Sequence, residues 1–251
     1  MLSLTVAGGA AVAILASGLL GLLLQRWLPE AHTSDRSRDI IGGVVGLITL
    51  LLALVLGLLI WTAYGVTNTQ KAELQLLSAR ALEFDLEMKQ FGPEAERGRD
   101  LLRTEIIWAH EQFWGDENAK SEAYEASYKN MGTMSDFLSS LQPTNDKQKQ
   151  LLGAAGQHYA AIGETRLLMS LQLTDPISWP LIIIVIAWSC LLFCGFGLLS
   201  RMNATTLCVL ALGACSVASA IFLILELSQP YTSLLKISPT GLEQVIVDLD
   251  K

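Results

Sequence analysis

The feature that most constrains this chain is a set of four apolar runs, each long enough to cross a lipid bilayer. They extend over Leu2 to Leu24, Ile40 to Ala63, Ile177 to Leu199 and Thr205 to Leu225. A transmembrane helix needs about 20 mainly apolar residues, because the hydrocarbon core is roughly 30 Å thick. A mean hydropathy of +0.43 is also too high for an ordinary soluble domain. We therefore predict four transmembrane helices in an all-α membrane protein.

The first apolar run differs from a cleaved secretion signal in two respects. It has no basic residue before its apolar core, and that core is longer than the usual 7 to 15 residues or so. We therefore expect a retained transmembrane helix.

A charged region, residues 68–176, separates the second and third apolar runs. It contains 17 acidic and 11 basic residues and supplies −6 of the chain's net charge of −7. Its first part carries an apolar seam at helical spacing, formed by Leu74, Leu77, Ala81, Phe84, Met88 and Phe91. Amphipathic patterns also predict helices over Glu94 to Trp114, over Asn118 to Leu141, and from Asn145 onward. Helices with one apolar face must pack together, which predicts an extramembrane antiparallel helical bundle.

The predicted organisation has four parts. Residues 1–67 form the first two transmembrane helices, 68–176 the bundle, 177–229 the last two transmembrane helices, and 230–251 an amphipathic C-terminal tail. No proline or glycine lies between Val66 and Gln90, so we expect the second transmembrane helix to continue into the bundle. The bundle is also predicted to be continuous with the third transmembrane helix.

Basic residues in the short connections give a prediction of orientation in the cell (inner) membrane. The two short loops carry Arg26, Arg36, Arg38 and Arg201, whereas the tail carries Lys236 and Lys251. The positive-inside rule then places the short loops in the cytoplasm, and the bundle and both termini on the other side. Lys71, close to the second transmembrane helix, favours the opposite orientation.

Several segments resemble a bacterial membrane-protein family of unknown function that is called bestrophin-like. One contains ALVLGLL, then LSA, Asp85, and GPEA followed by Arg99 and Arg103; the other comprises AWSCLLFCGFGLLSRMNATT and FLILELSQPYTSLLKISPTGL. The chain departs from the family at Phe84 and Leu86, where Leu-Asp-Arg is usual around the aspartate. It also has Ser228 and Gln229 where an acidic residue is usual before the proline. The resemblance implies an oligomeric ion channel.

Glu226 is the candidate for an ion path or its mouth, in the stretch LILELSQPY. It ends about 22 apolar residues, which suffice to reach the far membrane interface. The Pro230–Tyr231 turn follows, and tyrosine favours the headgroup level. One interpretation is an interfacial carboxylate satisfied by water, a neighbouring helix or Lys236. The other places Glu226 at the mouth of an ion path.

The second apolar run supplies further candidates. Trp61 and Tyr64 lie at its end and are candidate ion-path residues. Gly42 and Gly46 form a GxxxG pattern that lets helices approach closely, either within the chain or between copies of it. A pore lined by this run would have an apolar neck, which gates by dewetting.

Four charged residues in the bundle are candidates for structural ion pairs: Asp85, Arg99, Arg103 and Arg166. Asp85 borders the apolar seam of its helix, and Arg166 interrupts the seam of the fourth bundle helix. An Asp85–Arg166 contact is one hypothesis, and two solvated charges are the alternative.

The sequence contains no pattern typical of an enzyme, a cofactor site or a metal site. His110-Glu111 lacks the second histidine of a metalloprotease motif, and Cys190, Cys194, Cys208 and Cys215 all lie in the last two apolar runs. An acidic middle region disfavours nucleic-acid binding. The expected partners are the lipid bilayer, further copies of the chain and inorganic ions.

The leading functional hypothesis is a homo-oligomeric ion channel or pore of bestrophin-like kind. The alternative is a non-conducting membrane scaffold or sensor whose bundle binds a partner. The scarcity of polar residues along the apolar runs favours the second hypothesis, whereas the resemblance favours the first.

Overall fold

A computed structural model describes residues 2–27, 35–115, 132–173, 179–231 and 233–250. The helices are α1 (Leu2–Trp27), α2 (Asp35–Phe91), α3 (Glu96–Trp114), α4 (residues 132–140), α5 (Asp146–Leu173), α6 (Trp179–Leu199), α7 (Ala204–Leu227) and α8 (Thr240–Asp248). A short 3-10 turn, Pro93–Ala95, precedes α3. No strand occurs in these ranges, and the predicted all-α class is confirmed.

The chain divides into two compact units. The apolar unit combines Met1–Val66 with Pro176–Ser228, and the bundle unit combines Thr67–Asp175 with Gln229–Lys251. Four helices are long and apolar enough to cross a membrane: α1, α2, α6 and α7. They correspond to the four predicted apolar runs.

Glycines allow close packing of α1 against its neighbours in the apolar unit. A Cβ atom on Gly21 would lie 2.1 Å from the backbone oxygen of Cys194, and one on Gly197 would lie 2.3 Å from the backbone oxygen of Gly18. At these two positions, a side chain larger than hydrogen therefore does not fit between α1 and α6. Helix α7 runs antiparallel to α1, because Ser3 contacts Glu226 near one end and Gly18 faces Leu210 near the other.

Helix α2 is a single helix of 57 residues, as the absence of Pro and Gly between Val66 and Gln90 predicts. In the apolar unit it buries only a narrow stripe that includes Val45, Leu52 and Ala63. Val45 packs against α6 where a glycine, Gly195, leaves room for it. Only 11% of the most apolar window of α2 is buried within the chain.

The bundle unit is built on the predicted apolar seams. All six seam residues of α2, from Leu74 to Phe91, are buried, as are the α3 residues Leu102, Ile106, Ala109 and Phe113. Leu242, Val245 and Leu249 bury the apolar side of α8 in the same core. The amphipathic tail therefore packs on the bundle.

Side-chain hydrogen bonds establish the helix directions in the bundle. Gln70 of α2 donates to the Met169 backbone oxygen of α5, and Gln148 donates to the Phe91 backbone oxygen, so α2 and α5 are antiparallel. In contrast, Glu105 pairs with Tyr159, and seven residues later Gln112 pairs with Arg166. Helices α3 and α5 are therefore parallel.

The turn between α2 and α3 needs a glycine. Gly92 has a φ of 133°, in a region that L side chains rarely adopt, and Pro93 follows it at the start of the 3-10 turn. Two predictions fall outside the described ranges. They are the helix from Asn118, apart from its last turns in α4, and the connection from the bundle into the third transmembrane helix.

Candidate functional site

One side of α2 in the apolar unit has no partner in the described part of the chain. Its exposed residues follow helical spacing at Gly46, Leu50, Ala53, Gly57, Trp61 and Tyr64. Trp61 is 72% exposed and Tyr64 is 54% exposed. We call this set the α2 face. It is wholly apolar except for the tyrosine hydroxyl and the indole nitrogen, so any partner must be lipid or another apolar surface.

The small residues of α2 face open space. A Cβ atom on Gly42, Gly46 or Gly57 would meet no atom within 4 Å. The interpretation that Gly42 and Gly46 pack within the chain is therefore wrong for the described residues. Small residues that no segment of their own chain covers are suited to contact between membrane helices of different copies.

Glu226 is buried in the apolar unit, with a relative exposure of 2%. Its Oε1 accepts a hydrogen bond from the Ser3 hydroxyl of α1. Both residues lie near the ends of their helices, Ser3 in α1 and Glu226 in α7. A neighbouring helix thus supplies the partner that a buried carboxylate requires.

Tyr231 packs inside the bundle unit and is not exposed on its surface. It is buried in the bundle core between Phe113 and Trp114, with ring centroids 4.8 and 4.9 Å away. Its hydroxyl donates to Gln70 Oε1 at 2.9 Å. Burial, and then the Glu73 charge, raise the pKa of Tyr231, which keeps this hydroxyl a donor.

The Pro230–Tyr231 turn anchors the start of the tail. The backbone oxygen of Pro230 accepts a hydrogen bond from the Ile237 N–H at 2.7 Å. The backbone oxygen of Ile237 accepts from the Trp114 indole at 2.9 Å. These bonds bring the tail back against α3, where α8 packs.

Asp85 is the acceptor of a local ion-pair cluster. Arg99 Nε lies 2.6 Å from Asp85 Oδ1, and Lys89 Nζ lies 3.0 Å from Oδ2. The hypothesis of an Asp85–Arg166 pair is wrong. The tight turn between α2 and α3 places Arg99, and not Arg166, next to the Asp85 carboxylate. Arg103 pairs instead with Asp250 of the tail, at 3.0 Å.

Arg166 belongs to a second polar cluster that sequence patterns do not reveal. Tyr159 donates to Glu105 Oε1 at 2.7 Å, and Arg166 Nη2 donates to Gln112 Oε1 at 3.2 Å. Glu105 and Arg166 are 2% and 8% exposed. Burial raises the pKa of Glu105 and lowers that of Arg166, although each group's pKa is partly restored by the charge of the other. The sequence pattern that could have indicated this cluster is the seven-residue spacing of Glu105 and Gln112, which lie beside the apolar seam of α3.

A third cluster surrounds His158 of α5. Its two ring nitrogens lie 3.2 Å from Glu83 Oε2 and 3.3 Å from Glu87 Oε1, and Nδ1 lies 3.0 Å from Arg80 Nη1. Burial raises the pKa of Glu87, against the opposing effect of His158. Within the described ranges, no three His, Cys, Asp or Glu side chains are placed to bind a metal ion.

Comparison with known proteins identifies the relatives of this fold. The sequence profile described as Bestrophin-like domain matches residues 11–242. No curated protein is significantly similar in sequence.

Solved structures with the same arrangement of helices include a point variant of a bacterial bestrophin homologue from Klebsiella pneumoniae. It has 12% identity and a TM-score of 0.70, and the alignment covers 96% of each chain. A crystal structure described as a membrane protein has 14% identity and a TM-score of 0.69, over 94% of this chain and 97% of the other. At these identities the likeness concerns the fold. The profile match over most of the sequence, with four helices able to span a membrane, shows that this chain belongs to the bestrophin-like family of membrane proteins.

Proposed function

We propose that the chain is one subunit of a homo-oligomeric ion channel or pore. The observation that carries this proposal is the α2 face, which is apolar, rich in small residues and uncovered in the described part of the chain. In a bilayer, helices associate through close packing of small residues, because lipid is as apolar as leucine. The α2 helices of several copies would then surround a common axis.

A second exposed row on α2, in the bundle unit, supports self-association. Leu76, Leu82 and Leu86 are 47%, 40% and 56% exposed, and Ala79 is also exposed. Neighbouring exposed leucines on one side of a helix form an apolar surface that is suited to a protein contact. Contact between the bundle units of different copies would cover this row.

In the proposed channel, the copies meet along one edge of the α2 face, and the rest of the face surrounds the axis as an apolar neck with Trp61 and Tyr64 toward one end. Such a neck conducts when it is wetted and closes when it dries, without a charged selectivity ring. Glu226 would act near the mouth, where a buried carboxylate held by Ser3 can bias the local potential toward cations. The family resemblance supports the same function.

The alternative is a non-conducting scaffold or sensor. Its support is the same leucine row, together with exposed Leu167, Leu168 and Leu171 of α5, which a different protein could cover. In that case the chain would not need to surround an aqueous axis. The orientation of the bundle away from the cytoplasm stays a prediction from the basic residues of the short loops.

Flux across liposomes containing the purified protein tests the proposal, with light scattering to measure the mass of the assembly. The channel predicts a multimer and salt-dependent ion flux. Gly57→Trp should reduce flux by about tenfold or more, because it fills the α2 face. Gly8→Trp is the matched control, since Gly8 of α1 is also in open space but lies outside this face.

Two results would reject the channel. The first is a monomer with no flux at any voltage or salt concentration tested. The second is a multimer that conducts equally well in both tryptophan variants, since the pore would then lie elsewhere.

A further inference from the structure

A cavity in the apolar unit lies where α6 ends and α7 begins. Its volume is about 400 Å³, which lies within the usual range for small-molecule sites. Its apolar wall is formed by Phe193 and Phe196 of α6 with Val209, Leu210 and Gly213 of α7. The cavity therefore has an apolar interior between two helices that are each long enough to cross a membrane.

The aromatic wall depends on a glycine. The rings of Phe193 and Phe196 meet edge to face, with centroids 6.2 Å apart. A Cβ atom on Gly213 would lie 2.9 Å from the Phe193 ring, so hydrogen at this position lets the ring occupy its place. This packing fixes the shape of the wall.

The opposite part of the cavity is polar. Ser200, Asn203, Thr205 and Thr206 line it. Asn203 Oδ1 accepts from the Thr206 backbone, and the Thr206 hydroxyl donates to the Arg201 backbone oxygen. The Asn203 amide nitrogen and the Ser200 and Thr205 hydroxyls are donors on this rim, and the exposed Arg201 adds a positive charge next to it.

We propose that this cavity binds one acyl chain of a membrane phospholipid, with the phosphate at the polar rim. Helices α6 and α7 have 21 and 24 residues, so the turn between them lies at the headgroup level when they span a bilayer of roughly 30 Å. The cavity is apolar along the helices, like the acyl chain of a phospholipid. At the turn it is polar and has a cation nearby, which suits the phospholipid headgroup. The rim donors and Arg201 match a phosphate.

Native mass spectrometry of the full-length protein tests this site. The protein is extracted with mild detergent from vesicles of phosphatidylglycerol and phosphatidylcholine, and retained phospholipid is counted per chain. Wild type should retain about one molecule, and Val209→Trp should weaken retention by about tenfold because the indole fills the cavity. Leu212→Trp is the matched control, since Leu212 is 68% exposed against 62% for Val209 but does not line the cavity.

The outcomes separate the proposal from its rivals. If both tryptophan variants retain the same amount of phospholipid, the lipid surrounds the protein and does not occupy the cavity. That result would overturn the proposal. Loss of the multimer in Val209→Trp, without retained lipid in wild type, would identify a second copy as the occupant and would also overturn it. If Val209→Trp does not fold, Thr205→Val decides: it keeps the side-chain volume and should lower retention of the same phospholipids, whereas unchanged retention contradicts the phosphate position.

Discussion

Asp85 is held by two cations, and its position shows how charge is placed at the edge of the bundle core. Asp85 is 5% exposed, and both of its carboxylate oxygens have partners, Arg99 and Lys89. Leaving a buried carboxylate without a partner costs more than the pair itself contributes. The cluster therefore joins the end of α2 to the start of α3, with Gly92 in the turn between them.

A double-mutant cycle on unfolding in detergent tests this pairing. Asp85→Ala and Arg99→Ala should be non-additive, with a coupling of about 1 kcal/mol or more, because the groups are in contact. Asp85→Ala and Arg166→Ala should add to within about 0.5 kcal/mol, since they share no hydrogen-bond partner. Additivity in the first cycle, or strong coupling in the second, would refute the assignment.

The Glu105 cluster predicts a pH dependence of stability. Burial raises the folded-state pKa of Glu105 above 4.5, so folding favours its protonated form. This contribution is fully present below pH 4.5 and is lost as the pH rises through the folded-state value. The Glu105→Gln variant has no ionisable group at this position, so it does not lose this contribution to stability as the pH rises. The Tm of Glu105→Gln relative to wild type should therefore increase as the pH rises above 4.5.

Glu111→Gln on the exposed side of α3 is the control for removing a carboxylate from this helix. A constant difference for Glu105→Gln would show that Glu105 does not titrate as proposed. Tyr159 and Arg166 face Glu105, and both are unchanged in this variant.

At the level of elements, glycines let α1 lie close to α6. Gly21 and Gly197 leave no room for a larger side chain at these two positions, so the backbones of α1 and α6 approach closely there. In lipid, where burial of apolar surface gives no driving force between helices, such contacts supply the association energy.

Gly21→Ala tests this contact. The new Cβ would lie 2.1 Å from a backbone oxygen, so α1 must shift. We expect a loss of about 1–3 kcal/mol, the usual cost of overpacking, measured as unfolding in detergent. Gly9→Ala, where the Cβ meets nothing within 4 Å, should not destabilise the protein. Equal effects of the two variants would contradict the close α1–α6 contact.

Sequence patterns predict the elements better than their partners. The predicted apolar seams of α2 and α3 are confirmed. Apolar residues at helical spacing share one face of a helix, and that face packs into the core. The pairing of Asp85 was not predictable in the same way, since several arginines were available and helix register is not encoded locally. Glu105 next to Ile106 looks like a solvent-facing residue until the parallel packing of α3 and α5 brings Tyr159 to it.

At the level of the whole molecule, the chain combines an apolar unit with a charged bundle unit, and α2 contributes to both. Each unit leaves part of α2 exposed: the α2 face in one, and the leucine row in the other. A single chain does not cover these surfaces in its described residues. The proposed oligomer would cover the α2 face, and contact between the bundle units of different copies would cover the leucine row.

Cross-linking between copies tests this claim most directly. In a chain whose four cysteines are replaced by alanine, Gly57→Cys places a thiol on the α2 face and Gly8→Cys places one in the open space beside α1. After oxidation in membranes, the account predicts covalent dimers for Gly57→Cys and monomers for Gly8→Cys. Monomers for Gly57→Cys, or dimers in equal amount for both variants, would contradict it.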